Sequence, residues 1–516
     1  MSEAATLPRH PALISGSVML AALLYSIDWT IAAVALPHMQ GAFSATPDQI
    51  SWVITSYIVA SAIMIPTAGW MSSRFGRKRV FAWAMAGFTI ASLFCGLADS
   101  LAFEVFSRLI QGLCGAFIIP LSQAITLDTY PPEQHGRAMA LWGTGAVFGS
   151  VIGPTIGGYV TEYLSWRYIF YLNIPLGILA LAGILAFVPE TVKNPKHRLD
   201  WFGFLSLALC LGSLQMMLDR GGRLDWFESN EIVLEACLCV LGFYLFLAHS
   251  LTTRNPFLDL RIIMQRQFFF ALAFVFAYGF LTLPTMILMP TFLADIRGYN
   301  IDMVGLLQSP RGVGMLSAMI LSGQLVHRFP PRVLMAVGLI CLTVSSAEMA
   351  TWNINVGEWP IIWTGFLQGL GAGIMLVPTQ LLAFSTLPVH QRTEATGVFN
   401  LVRSVGASVG ISLAFAYFVH TSAVHHSRMV EQVTPYSAAM QNVEVAKHWD
   451  IKTPEGQAKI EREINRQAAM FGYTADFALL ALGAVLGLPM LLLMGRGQRG
   501  VRDPNDDTAR TLVVAE

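Results

Sequence analysis

Charge is what this chain lacks most. Only 12% of its 516 residues are Asp, Glu, Lys or Arg, where a soluble domain carries about 25%. The shortfall extends along nearly the whole length, which excludes a soluble globular protein and indicates a polytopic membrane protein. Net charge is zero. No basic or acidic block occurs, so nucleic acid is not an expected partner. Cysteine is scarce: Cys95, Cys114, Cys210, Cys237, Cys239 and Cys341 all fall inside apolar runs. A structural disulfide and a paired-cysteine metal site are therefore not expected. The phosphate-loop pattern G-x-x-x-x-G-K-[ST] is absent, so ATP hydrolysis is not carried on this chain. No polar segment is long enough for an enzyme domain; the longest is about 420–472. Neither an enzyme nor a bound cofactor is expected.

Long apolar runs are plentiful, and 54% of residues are hydrophobic. At roughly 17–25 residues per span, about fourteen spans are read, near 13–36, 51–71, 80–98, 104–127, 138–160, 167–188, 201–219, 231–250, 268–293, 303–325, 334–352, 359–384, 397–419 and 473–494. The first follows a single basic residue, Arg9. It is too long for a signal-peptide core and no small-x-small cleavage site follows it, so it reads as a retained helix. With the N-terminus inside, the short inner loops hold Arg74, Arg77, Lys78, Arg79, Arg137, Lys193, Lys196, Arg254, Arg328 and Arg392, while the short outer loops hold Arg167, Arg220, Arg223 and Arg297. This bias fixes the orientation, with both termini cytoplasmic. The loop 420–472 falls outside, and a short helix is expected around Thr453 to Met470.

An internal repeat organises the spans. "QGLCGAFIIPLSQ" (Gln111–Gln123) matches "QGLGAGIMLVPTQ" (Gln368–Gln380) at an offset of 257 residues. The same offset pairs Pro131 with Pro388, Gly149 with Gly406 and Gly153 with Gly410. It crosses an even number of helices, so the repeated spans run in parallel, as in the halves of the major facilitator fold. The expected domains are a six-helix half at 1–190, an inserted helix pair with linkers at 191–266, a second six-helix half at 267–496 and a tail at 497–516.

Asp28, in "SIDWTIAAVALP", lies inside the first span. A charge at a helix centre costs about 2.5–3.5 kcal/mol on insertion scales, so protonation, a partner or a water-filled cavity must offset it. Arg108 in span 4 is the natural partner, and Gln111, three residues on, shares its face. A carboxylate that meets water and a nearby cation in turn loads and releases a proton; a fixed ion pair is the structural alternative. Pro120 is expected to bend span 4. Span 5 places Gly145, Gly149, Gly153 and Gly157 on one face where another helix approaches closely, followed by Gly158, with Pro154 as a kink site. Other intramembrane polar residues are Glu348, a second proton site or a helix-end residue, and Arg403, Asn173 and Asn400. Met216, Met217, Met286, Met289, Met315 and Met319 adapt to varied ligands or simply fill the bundle. His420, His425 and His426 are not spaced for a metal.

Taken in order, these motifs resemble the major facilitator superfamily, and within it the fourteen-helix drug:proton antiporters of the EmrB type. "IDWTIAAVALP", "RLIQGLCGA" (Arg108–Ala116), "GPTIGG" (Gly153–Gly158), "WRYIFYLNIPLG" (Trp166–Gly177) and "GSLQMMLDRGGRLDWFESNEI" (Gly212–Ile232) carry the resemblance. Ser73 stands where the general superfamily loop has Asp, so that family's inner salt-bridge gate does not transfer. The resemblance implies that Asp28 binds the proton, that Arg108 tunes it, and that the span 5 glycines form a sliding contact between the halves. By analogy the cavity is lined by spans 1, 4, 9 and 12, with Trp29, Gln123, Gln380, Asn400 and Arg403 as candidate substrate residues. It implies export of hydrophobic or amphipathic drugs in exchange for protons across the bacterial inner membrane, driven by the proton gradient without a cofactor. It also implies a periplasmic membrane-fusion adaptor and an outer-membrane channel as partners. Export of a specific metabolite or siderophore, hinted at by Arg403, is the alternative; a non-transporting receptor is disfavoured.

Overall fold

A computed structural model describes residues 10–191, 193–194, 198–253, 256–326, 328–385, 387, 391–434, 449 and 453–493. The expected tail 497–516, the centre of the long loop, and Lys196 and Arg254 lie outside these residues. Thirteen helices among them are long and apolar enough to cross a membrane. In chain order they are α1 (Pro11–Ala42), α2 (Gln49–Phe75), α3 (Arg77–Gly96), α4 (Leu101–Thr129), α5 (His135–Tyr163), α6 (Arg167–Phe187), α7 (Trp201–Arg223), α8 (Asn230–Thr252), α9 (Arg266–Ile296), α11 (Pro331–Met349), α12 (Glu358–Phe384), α13 (Arg392–Gln432) and α14 (Pro454–Leu493). Between α9 and α11 runs α10 (Ile301–Leu325), of similar length but more polar because it carries Gln308 and Arg311. It packs against α12 and α5 and leaves Leu306, Val313 and Ile320 exposed on its outer face.

Helix breaks fall where the sequence chemistry puts them. α4 interrupts at Ala116–Phe117, just before Pro120, the expected bend. Gly76 joins α2 to α3 at φ +92°, where a Cβ would also strike the Glu190 carboxylate. A side chain is thus excluded there twice over, by backbone conformation and by space. α1 runs on through Pro37 to Ala42, past the apolar run that suggested its end at Leu36.

The repeat is visible in the packing. α5 lies on α1, and a Cβ on Gly149 would come 2.5 Å from the Leu23 carbonyl. The repeat-related α13 lies on α9, where a Cβ on Gly406 would come 2.3 Å from the Phe276 carbonyl. The halves meet along α5 and α10, with Gly312 against Val151, Met319 against Gly143 and Gly323 against Ala140. They also meet where α13 crosses α2 and α4. One apolar cluster spans both halves, from Met139 and Trp142 to Phe274, Met319 and Phe399. The inserted α7–α8 pair wedges against α2 and α13: Thr55 bonds Asp219, and Ser408 bonds Gln215 at 3.0 Å.

Two expectations are corrected. The Thr453–Met470 helix is not a separate element but the first part of α14, which continues unbroken into the membrane segment. α13 likewise runs 41 residues, about 60 Å at 1.5 Å per residue, twice a bilayer core. The two extensions form a helical hairpin, with His425 stacked on Phe471 at 4.2 Å and His426 bonded to Glu461 at 3.0 Å. Among the described residues these histidines join no metal-binding group.

Candidate functional site

Asp28 sits in the middle of α1 with no exposed surface. α4 supplies Arg108 and Gln111, one turn apart on the same face, and α6 supplies Asn173. Arg108 Nη1 donates to Asp28 Oδ2 at 2.9 Å; Gln111 Nε2 and Asn173 Nδ2 donate to Oδ1 at 2.9 and 2.7 Å. The donors are themselves held. Arg108 also donates to Gln111 Oε1 at 2.6 Å and to the Val53 carbonyl at 3.3 Å, and its guanidinium lies 4.4 Å from the Tyr57 ring centre. Asn173 also donates to Ser92 Oγ at 2.9 Å, and Ser92 donates to the Phe170 carbonyl at 3.0 Å. Four helices of the first half thus converge on one carboxylate.

Such a constellation stores a charge where no water reaches. Three donors meet the two oxygens of Asp28, and charge-assisted bonds of this kind are about twice as strong as neutral ones. A proton delivered to Asp28 would remove the charge that holds these donors in place.

Glu104, one turn before Arg108, escaped the sequence reading. Its side chain is wholly buried, with neither carboxylate oxygen hydrogen-bonded. The available signal was the four-residue spacing to Arg108 inside an apolar helix. Asn173 was noticed as an intramembrane amide, but its link to Asp28 depends on how α6 packs and is invisible in sequence.

Glu348 is not brought to this cluster. It lies in the last turn of α11, in the other half, half-buried, and its backbone carbonyl accepts from Thr351 Oγ1 at 2.7 Å. Its location is that of a helix-end residue. The span 5 glycines do not face the other half. Gly145, Gly149, Gly153 and Gly157 meet Met19, Leu23, Thr30 and Ile31 of α1 within the same half. The contact to the second half uses a different face of α5, through Ala140, Gly143 and Val151. A helix with one stripe against α1 has to turn another toward α10. Pro154 and Gly158 lie on the same helix, and α5 continues through both.

Of the candidate substrate residues, Gln123 and Asn400 meet across the two halves: Asn400 Nδ2 donates to Gln123 Oε1 at 2.6 Å. Gln380, the repeat mate of Gln123, is buried with its Oε1 unbonded. Trp29 packs, half-buried, beside the cluster containing Tyr57 and Phe88. Arg403 is half-buried on α13, with its Nε buried and unbonded.

Toward the end of the bundle that bears the basic loops, hydrogen bonds join the halves. Arg392 donates to Asp128 at 3.0 Å, Thr396 Oγ1 donates to the Pro120 carbonyl at 3.2 Å, and the Gln123–Asn400 bond lies next in line. Arg77 pairs with the other oxygen of Asp128. Ser73 brings no acid to this side, and the ion pairs there centre on Asp128 instead.

Two parallel six-helix bundles, a buried charge pair in one and a polar latch between them define a membrane transporter of the alternating, two-half kind. The profile described as Major Facilitator Superfamily matches residues 18–411. The chain is 30% identical to the multidrug export protein EmrB of Haemophilus influenzae over 95% of this chain and 96% of that protein. It is 31% identical to the fatty acid resistance protein FarB of Neisseria gonorrhoeae over 93% and 96%. Among solved structures, the human organic anion transporter MFSD10 superposes with a TM-score of 0.62 at 15% identity, covering 93% of this chain and 99% of that one. The proton:xylose symporter XylE superposes with a TM-score of 0.55 at 15% identity, covering 92% and 94%. The chain belongs to the Major Facilitator Superfamily, in its EmrB-like branch. It is a multi-pass membrane protein.

Proposed function

We propose that the protein is a multidrug exporter that exchanges protons for hydrophobic or amphipathic compounds. The relatives named as multidrug export proteins support the cargo. The observation that carries the coupling is the sealed Asp28 carboxylate under three donors. Protonation from one side loosens the α1–α4–α6 cluster; deprotonation toward the other side restores it. The two halves rock in response, and the Asp128–Arg392 latch closes the basic side in the state described here. The proton gradient is the energy source and no cofactor takes part. The positive-inside rule applied to the basic loops supports a cytoplasmic position for that side and for both termini. On this reading the protein sits in the inner membrane, and the α13–α14 hairpin projects into the periplasm, where it offers a surface to a membrane-fusion adaptor joined to an outer-membrane channel.

The test is transport by wild type and Asp28→Asn in liposomes with an imposed pH gradient, following a fluorescent lipophilic cation together with internal pH. Wild type is expected to couple the two fluxes and the folded variant to uncouple or lose them. Equal coupled transport by the variant would make Asp28 purely structural. A wild type that moves no lipophilic drug would overturn the multidrug reading.

A further inference from the structure

We propose that the second half carries an anion site at Arg311 and Gln368, between α9, α10 and α12. It takes a single negative group: the carboxylate of an amphipathic cargo, or a free halide of the same charge. A small cavity there is lined by Met289, Leu307, Gln308, Arg311, Ile361 and Gln368. About 10 Å³ is open to the centre of a water-sized sphere, the space of a single water, so the site has to widen to seat such a group.

Two donors at this cavity lack a hydrogen bond. Arg311 Nη2 donates to the Thr282 carbonyl at 2.7 Å, while Nη1 is buried without a hydrogen bond. Gln368 is 1% exposed, and its Nε2 is also buried without one. A guanidinium stays charged in any protein environment, and a buried charge without a partner is costly. No carboxylate lines the cavity, and among the described residues no ion pair reaches Arg311. Two unmatched donors, one cationic, recognise an anion by charge-assisted hydrogen bonds. Met289, Leu307 and Ile361 give the apolar wall that an attached hydrocarbon chain needs, and the flexible Met289 side chain lets the space widen.

The repeat sharpens the point. Gln368 stands 257 residues after Gln111. In the first half, that amide's Nε2 donates to the Asp28 carboxylate. α9 meets Gly406 and Gly410 at Phe276 and Phe280 where α1 meets Gly149 and Gly153 at Leu23 and Ile27, so the position matching Asp28 is Leu281. The amide recurs in the second half, with the half-buried Arg311 of α10 beside it; the internal acid does not recur. A carboxylate brought by a ligand completes the set. That the ligand is transported cargo rests on the exporter reading, but anion binding itself does not.

The experiment is titration calorimetry on the full-length protein in detergent, without a gradient and in chloride-free buffer. The probes are decanoate, decyltrimethylammonium and sodium chloride. Wild type is expected to bind decanoate, with Arg311→Gln and Gln368→Leu each weakening it at least about tenfold and Arg311→Lys keeping part of the affinity. Binding of the alkylammonium should be unchanged in all variants. Competition between chloride and decanoate would confirm one shared site. Chloride binding without decanoate binding would leave an inorganic-anion site and overturn the cargo assignment. If Arg311→Gln, or Gln368→Leu should Arg311→Gln not fold, binds both anions as wild type does, the site does not exist. Decanoate binding by a wild type that shows no proton coupling in liposomes would overturn the antiport reading and leave this one standing.

Discussion

The two halves repeat their packing but not their charge. Gly149 of α5 against α1 and Gly406 of α13 against α9 make the same close approach to a neighbouring backbone, and Gln111 and Gln368 occupy matching positions. Yet the first half closes its arginine on Asp28, while the second leaves Arg311 beside two amides and no acid. Close backbone contact depends on residue size, which a duplication preserves easily. Charge pairing depends on both partners being present, and neither is kept at its repeat position: Gly365 matches Arg108, Arg311 comes from α10 instead, and α9 brings it no acid. The difference fits a division of labour in which one half handles the proton and the other meets a ligand.

The strongest way to break the comparison is to make the first half resemble the second. Asp28→Ala strands Arg108 in the interior and should cost about 3–5 kcal/mol, read as a lowered unfolding midpoint in detergent. Adding Arg108→Leu should recover much of that loss, because the stranded charge is gone. Overpacking comes next. Gly149→Leu and Gly406→Leu should each destabilise by about 1–3 kcal/mol on the same assay, and similar values at both sites would confirm that the packing is truly repeated. Making the second half resemble the first is gentler: Gln368→Glu gives Arg311 an internal partner. It should raise the unfolding midpoint by the equivalent of about 1–2 kcal/mol and abolish decanoate binding. The smallest effect belongs to the latch. Arg392→Gln breaks a partly exposed ion pair worth about 0–1 kcal/mol and should barely move stability. It should still increase labelling by a membrane-impermeant thiol reagent of a cysteine placed at Thr396, if the latch keeps that side shut.

Much of this was legible in residues. Low charge and the length of the apolar runs gave the class and the helix number, because a bilayer core demands about twenty apolar residues per crossing. α10 was read as a span although its polarity puts it below the other thirteen; its neighbours α5 and α12 cover its polar residues. Asp28, Arg108 and Gln111 were found because an acid and a cation in apolar helices have few ways to be tolerated. Glu104 was overlooked beside them, since it sits near a helix start where an acid is unremarkable. The glycine stripe was found, but its partner was misassigned. Spacing shows that a helix has a smooth face and says nothing of which helix meets it.

By itself, then, the sequence determined where the chain crosses the membrane, that its halves are related, and which residues carry charge into the apolar interior. These follow from local hydrophobicity and from repetition, both properties of the linear string. Only the tertiary structure decided the partners. It brought Asn173 from α6 onto Asp28, turned the glycines of α5 toward α1, built the latch from Asp128 and Arg392, and left Arg311 facing Gln368 with no acid between them. Hydrogen bonds and ion pairs act over about 3 Å between residues that lie many positions apart in the chain, so they exist only once the helices have chosen their neighbours.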